Sequence, residues 1–305
     1  HLDTHASFQE YIATKKRFLD MLAPDRTVFL NRDDLGARSL LPELKARVVT
    51  FGFHPAGDIQ IVPARAASGS GSFFLRIDRP LTTHRWTLPA LSLPLTLQLL
   101  GTHNMANAAA AAAVALALGV EPRHIQAGLA TFSGVERRLE VFSLGKLTVV
   151  DDTALNPASF DAAFQAVSSL PHQRLVVVYA LRGSRSPAVN RINALALAHW
   201  SQRLTFSAFI TTSSVGDVGP LDEVTAEEET AFFSGLAAAG LTARHFPALK
   251  DALAAALGCA RSGDLILLLG AQGMDTGRAV LQDLWAEKQA ALLPARRPEA
   301  ALAGS

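Results

Sequence analysis

His103, Asn104 and Asn107 stand together in LLGTHNMANAAAAAAVALALGV, residues 99–120, just ahead of an unbroken alanine run. Alanine is the best helix former and lets backbones approach closely, so the run reads as a buried, tightly packed helix. Polar side chains are odd company for such a run. An asparagine in a first helical turn ordinarily caps it by accepting a free backbone N–H, which accounts for one Asn and leaves His103 and the other unexplained. Asp152 closes an apolar stretch, where a carboxylate can accept from ribose hydroxyls or hold a cation, or can cap a helix ahead of Pro157. Arg182 and Arg185 flank Gly183, and paired loop arginines suit phosphate or carboxylate groups. Arg138 is a further loop arginine of this kind; solvated surface charge is the ordinary role of all three. Lys15 lies on a helical pattern, where a lysine ordinarily snorkels. His1 and His5 share a helix-face spacing, but Leu2 stands where a zinc protease needs Glu.

The elements that must carry these groups fall into two styles. Phe8, Tyr11, Ile12, Lys15, Phe18, Leu19 and Leu22 recur at helical spacing, and Pro24 ends the run. TVFL at 27–30 predicts a short buried strand followed by a loop at 31–34, and 48–53 predicts a second strand. Residues 57–78 read as a hairpin turning at SGSGS, 68–72; no lysine follows, so it is no phosphate loop. Residues 86–100 are extended, 123–131 a helix, and 132–138 a turn-rich junction. Beyond 139 strands and helices alternate: strands at 147–150, 175–179, 208–212 and 264–269, helices at 157–167, 190–202, 227–239, 249–260 and 277–289. Residues 290–305 have little pattern and are expected to fray. The apolar strands predict a parallel sheet covered on both faces. Ligands bind such sheets beyond the strands' carboxyl ends, where Asp151 and Asp152, Arg182 and Arg185, and Gly270 to Gly273 fall.

A length of 305 residues predicts two domains. Basic and acidic residues nearly balance, 28 against 27, with no block of either sign, which argues against a nucleic-acid surface. The single cysteine, Cys259, excludes an internal disulfide framework and a cysteine-cluster zinc site, and suits a reduced, cytoplasmic setting. No signal peptide or membrane-spanning run is evident. The first residue is His1 rather than Met, from which further sequence upstream is expected.

Order and spacing taken together resemble the Mur ligase family, the ATP-dependent acid–amino acid ligases of peptidoglycan synthesis. HLDTHASFQEYIATKKRFL, residues 1–19, is similar to that family's HLDYHG…Y…AAK segment. GTHNMANAAAA is similar to GxHNxxNxxAA, FSGVERRLE to FxGVxxRxE, and VVDDTALNPASF to a strand leading into a DDxxxNPxS loop. Residues 31–34 resemble its NxDD. The specific motifs span about residues 1–170. The resemblance implies an α/β chain: a central ATP-binding domain lacking its start, 1–135, then a Rossmann-like C-terminal domain with a mostly parallel sheet, 136–305.

Position by position, it implies that His1 helps hold Mg²⁺ and that Lys15 is the lysine the family often carbamylates. His103, Asn104 and Asn107 would serve the nucleotide, the two asparagines approaching adenine. Arg138 would reach the phosphates and Asp152 the ribose, with Asn156, Arg182 and Arg185 on the substrate side. The implied reaction is ATP-driven phosphorylation of a carboxylate, then amine attack on the acyl phosphate. The partners are a nucleotide and a small carboxylate or amino-acid substrate, with no nucleic acid. A non-catalytic Mur-like binding protein and a ligase for a non-wall carboxylate are the alternatives. The family's GxxGK[ST] loop would precede His1 and is not in the sequence. The DYAH motif reads DTAL at 152–155, the DNPR motif is replaced by TTSSVGD at 211–217, and the GKGHE-like loop reads GAQGM at 270–274. These departures leave the amino acid open.

Overall fold

The computed structural model describes residues 7–64, 71–99 and 101–292. The positions of His1, His5, the glycine-serine tip at 65–70 and the tail beyond 292 lie outside them. The chain divides into two compact units, residues 1–140 with 156–171, and residues 141–155 with 172–305.

In the first unit, α1 (Phe8–Asp20) begins at Ser7, whose hydroxyl accepts from Glu10 N at 3.1 Å. β1 (Thr27–Asn31) and β2 (Arg47–Gly52) pair in parallel, with α2 (Leu35–Leu40) between them. β3 (Ile59–Pro63) pairs in parallel with β2 and antiparallel with β4 (Phe73–Ile77). β5 (Leu81–Thr82) and β6 (Thr87–Leu88) form a small ladder of their own, and β7 (Leu91–Leu95) completes the sheet in the order β1-β2-β3-β4-β7. Alternation is clean where one sheet face is covered: Phe73, Leu75 and Ile77 are buried and Phe74 and Arg76 exposed. On that face lies α3 (Thr102–Ala117), whose Ala109, Ala112 and Ala113 are almost fully buried among Ile59, Ile61 and Leu95. α4 (Pro122–Thr131) follows, with proline at the first helical position.

Three features differ from the pattern in the sequence. The TVFL strand is only half covered, Val28 alone being buried. The loop read at 31–34 ends in a helix, because Asp34 caps α2 through Oδ1, which accepts from Ala37 N at 2.6 Å. Neither asparagine caps α3: the N-cap is Gly101, at φ +93, a conformation that glycine alone adopts without strain.

The second unit is built on β8 (Glu140–Leu144), β9 (Leu147–Asp152), β10 (Leu175–Ala180), β11 (Phe206–Thr212), β12 (Arg244–Phe246) and β13 (Leu265–Leu269). The order is β12-β11-β10-β13-β9-β8, and β12 through β9 are parallel. β10 and β13 are buried throughout, as strands covered on both faces must be. α8 (Leu249–Cys259) and α9 (Gly277–Leu292) bring Leu253, Ala256 and Leu281 against Val176, Val178, Ile266 and Leu268. α6 (Pro187–Arg203) packs on α7 (Ala226–Ala238), and Tyr179 of β10 stacks on Phe232 of α7 with centroids 5.6 Å apart. α5 (Pro157–Ser168), grouped with the first unit, starts from a reciprocal cap between Asn156 and Ser159.

Candidate functional site

In the first unit the polar trio sits on the opening turns of α3. His103 and Asn104 are half-buried, and Asn107 is exposed one turn on. A Cβ on Gly101 would lie 2.6 Å from His103 Cε1, so the imidazole is seated against the glycine that opens the helix. The two asparagines stand three apart, which places them side by side on one helical face. The helix N-terminus they flank presents the positive end of the helix dipole.

The NRDD loop is committed to structure. Asp33 accepts from Phe53 N at 2.6 Å and from His54 N at 3.1 Å, tying the ends of β1 and β2 together. Arg138 is exposed in the segment between α4 and β8, while its neighbours Arg137 and Leu139 are buried with left-handed backbones, φ +56 and +50. Alternating strained, buried residues thus push the Arg138 side chain outward. Lys15 is exposed on α1, its ammonium 5.4 Å from the centroid of Tyr11. Among the described residues no group of three or more His, Cys, Asp or Glu side chains is placed to hold a metal ion. His1, the other expected ligand, lies outside them. The described residues alone therefore do not furnish a Mg²⁺ donor set.

In the second unit the strand ends are level. Asp152, Leu269, Tyr179, Thr211 and His245 form one row across β9, β13, β10, β11 and β12. Just beyond that row come the loops carrying Thr153, Arg182 and Arg185, Ser213 and Ser214, and Gly270 to Gly273. Asp151 and Asp152 are both buried, and the Asp152 carbonyl accepts from Gly270 N at 3.2 Å. Ser214 donates through Oγ to Gly273 O at 2.6 Å, which joins two of these loops. Gln272 Oε1 and Thr153 Oγ1 are buried here with no hydrogen-bond partner among the described residues. Buried polar atoms are ordinarily satisfied, so these two are acceptors available to a ligand or a water.

Arg182 and Arg185 are half-buried, and Arg182 Nε lies 4.0 Å from Asp222 Oδ1. Gly183 fits only as glycine: a Cβ there would fall 1.8 Å from Glu223 O. Asn190 donates through Nδ2 to Arg182 O at 3.1 Å. Beneath the loop lies Glu228, which is almost completely buried. The sequence offered one signal for it, Thr225-x-x-Glu228, the spacing of a helix capping box. Tyr179 is likewise buried below this edge, and Asn193 Nδ2 lies 3.3 Å from its hydroxyl. Burial pushes its phenol from 10.0 up to about 12, with the Asn193 contact opposing. Asn156 is exposed and its Oδ1 accepts from Ser159 N at 3.0 Å, so its oxygen serves as the cap of α5.

Two clefts open in the first unit. One, about 420 Å³, is lined by Ile12, Lys16, Leu35, Ser39 and Glu43; the other, about 300 Å³, by Arg26, Phe29, His84, Arg85 and Leu118. Neither includes Lys15 or the His103–Asn107 group. Lys16 is engaged with Asp20 at 2.9 Å, which holds its ammonium above the ordinary lysine value.

The chain matches the Mur ligase middle domain over residues 1–115 and the Mur ligase glutamate ligase domain over 137–272. It is 28% identical over 275 residues to a UDP-N-acetylmuramate–L-alanine ligase of Desulfotalea psychrophila, covering 89% of this chain and 56% of the relative. A ligase of the same name from Rhizobium meliloti is 30% identical over 302 residues, covering 94% and 59%. The chain thus spans somewhat more than half the length of these relatives. Among solved structures it resembles MurF from Acinetobacter baumannii, with a TM-score of 0.68 at 19% identity over 94% of this chain and 57% of that one. It also resembles the UDP-N-acetylmuramate–alanine ligase MurC from Thermotoga maritima, with a TM-score of 0.64 at 18% identity, covering 95% and 57%. With both domain models matched in order, and the fold shared with solved members, the chain belongs to the Mur ligase family.

Proposed function

We propose that this chain is the catalytic part of an ATP-dependent ligase that joins a carboxylate to an amino acid, as the UDP-N-acetylmuramate–L-alanine ligases it resembles are named for doing. Its place is then the cytoplasmic assembly of a cell-wall precursor. The observation that carries the reading is the level carboxyl edge of the second sheet. There Asp152, the Arg182–Arg185 loop and two buried acceptors without partners, Gln272 Oε1 and Thr153 Oγ1, are gathered. The domain limits proposed are those drawn from the sequence, 1–135 and 136–305.

In this reading a substrate carboxylate oxygen attacks the γ-phosphorus of ATP. The bond to the bridging oxygen breaks, and ADP leaves. The amine of the incoming amino acid adds to the acyl carbon, and phosphate departs with the C–O electrons as the amide forms and the amine loses a proton. Little covalent work falls to the protein in such a transfer; positioning and relief of phosphate charge dominate. His103, Asn104 and Asn107 meet the base end of the nucleotide at the start of α3. Arg138, exposed, supplies charge to the phosphates, and Asp152 accepts from the ribose. Arg182 and Arg185 take the carboxylate of the incoming amino acid in the paired geometry that guanidinium groups favour. Asn156, whose Oδ1 is taken up by Ser159 N, has its amide Nδ2 left to serve on the substrate side. Mg²⁺ would accompany ATP and relieve its phosphate charge. Lys15, exposed and so accessible to CO₂, is the proposed site of carbamylation, which would turn its cation into a bidentate anion.

The test is ADP release by the complete gene product with UDP-N-acetylmuramate and each of a panel of amino acids. Release dependent on both substrates supports the reading, and release with other carboxylates moves it to a non-wall ligase. Leu155, standing where the family carries histidine, favours the second reading, a Mur-like binding protein. Nucleotide binding without ADP release under any pairing would establish that one instead.

A further inference from the structure

We propose that Glu228 is the positioning residue of the arginine loop, setting the directions of Arg182 and Arg185 through the backbone beneath them. The inference rests on the reading of that loop as the clamp for the incoming amino acid's carboxylate.

Four backbone N–H groups converge on this one carboxylate. Oε1 accepts from Arg185 N at 2.8 Å and from Ser186 N at 3.0 Å; Oε2 accepts from Ser184 N at 3.3 Å and from Thr225 N at 3.1 Å. Three successive N–H groups pointing at one anion make a nest, the concave backbone arrangement that elsewhere holds phosphate or carboxylate ligands. Here the nest is filled from within. Ser186 is also the N-cap of α6 and offers no side-chain cap bond, so Glu228 supplies the negative charge that a helix N-terminus favours.

The nest is bought with strain: Ser184 and Ser186 hold φ of +56 and +75, left-handed values unfavourable for any residue with a Cβ. Such a backbone persists only where its surroundings over-determine it, and those surroundings are on hand. Gly183 permits contact with the Glu223 backbone, Asn190 holds Arg182 O, and Glu228 ties the next three amides. Arg182 and Arg185 are thus mounted on a loop held at both ends and below. A clamp ordered before its ligand arrives does not pay for that ordering on binding. Glu228 is itself almost completely buried and faces backbone, so it acts on a substrate only through the arginines.

Two readouts test this in the complete gene product. Trypsin cuts after arginine, so cleavage at Arg182–Gly183 and Arg185–Ser186 reports opening of the loop. Glu228→Gln keeps the shape but turns a donor toward N–H groups. It is expected to speed cleavage about tenfold or more, and to raise the KM for the amino acid by a similar factor while kcat and the KM for ATP stay near wild type. Thr225→Ala removes the capping hydroxyl of α7, which also donates to Glu228 Oε2 at 3.2 Å, but keeps the carboxylate and its four backbone N–H donors. It lowers the melting temperature with far smaller effects on cleavage and KM than Glu228→Gln, which separates loop positioning from helix capping. If Glu228→Gln does not fold, Glu228→Asp, shorter by one methylene, is expected to show both effects in weaker form. Unchanged cleavage in the folded variant overturns the proposal. So does faster cleavage with an unchanged amino-acid KM, if Arg182→Ala raises that KM. If Arg182→Ala and Arg185→Ala both leave the KM unchanged, the clamp reading fails, and with it the positioning role; cleavage still reports whether Glu228 holds the loop.

Discussion

Asp264 and Arg174 form an ion pair at the amino end of the second sheet, opposite the edge that carries Asp152 and the arginine loop. Arg174 Nε donates to Asp264 Oδ1 at 3.1 Å, and Arg261 N donates to Oδ2 at 2.7 Å. Burial pushes the Asp264 carboxyl up, but the bonds from Arg174 and Arg261 N outweigh it and hold it below the ordinary aspartate value. A carboxyl with a depressed folded pKa stabilises the fold above its unfolded value of 3.8 and loses that contribution as pH falls through the folded one. Asp264→Asn is expected to cost roughly 2–3 kcal/mol at neutral pH, less than the roughly 3–5 kcal/mol of a fully buried broken pair because Arg174 is one-third exposed. The variant should also lose less stability on acidification than wild type. Urea unfolding at pH 7 and at about pH 2.5, below the unfolded value of 3.8, checks both, and ligase kcat should be unchanged.

Tyr179 predicts the opposite limb. Its phenol is raised from 10.0 to about 12, so the neutral form is the one the fold favours. That contribution is whole below pH 10 and drains as pH rises from 10 toward 12, by up to roughly 1.4 kcal/mol per pH unit. Tyr179→Phe should remove this part of the alkaline slope. Denaturant midpoints at pH 9 and pH 11 for the two proteins give the comparison; equal slopes would contradict it.

Gly183→Ala forces a Cβ to within 1.8 Å of the Glu223 carbonyl oxygen, so the loop or its neighbour must move. Either movement disturbs the arginine loop, since Asp222, beside Glu223, faces Arg182 at 4.0 Å. We expect the amino-acid KM to rise at least about tenfold, equivalent to about 1.4 kcal/mol, with the KM for ATP little changed. Steady-state kinetics with each substrate varied in turn decides it.

Lys15→Ala should abolish ligation in the complete gene product without altering the melting temperature, since the side chain is exposed. Added bicarbonate should not restore activity, there being no amine left to carbamylate. Full turnover by the variant would remove the carbamate role.

Arg138→Ala should slow amide formation while leaving the circular dichroism spectrum intact, because the charge lost is a solvent-facing one. Arg137→Ala offers the contrast: that residue is buried, and its loss should lower stability. An unchanged rate for Arg138→Ala would mean that this arginine does not meet the phosphates.

Long, strongly patterned elements were legible from the residues. The alanine run of α3, LVVVY in β10 and DLILLL in β13 admit one reading each, because burial on a sheet or helix face dictates their composition. The short elements were not. β12 is three residues, β8 is only half covered, and α2 depends on Asp34 being read as a cap rather than as part of an acidic loop. The same limit applies to the site. Arg182 and Arg185 declare themselves by type and spacing. Glu228, by contrast, sits in the run Glu227–Glu229, which reads as a solvated helix face. The Thr225-x-x-Glu228 spacing marks the middle glutamate as a cap partner, but not as a buried anchor for a distant loop; that is decided by where the loop before α6 comes to rest.

The alanines of α3 carry one more consequence. Alanine has no rotamers to lose, so seating Ala109, Ala112 and Ala113 against the sheet spends backbone entropy alone. At these three positions the seat on the sheet is set by backbone position alone, with no rotamer to adjust. His103, Asn104 and Asn107 therefore project from a base without rotameric slack, and any play in that trio must come from their own torsions.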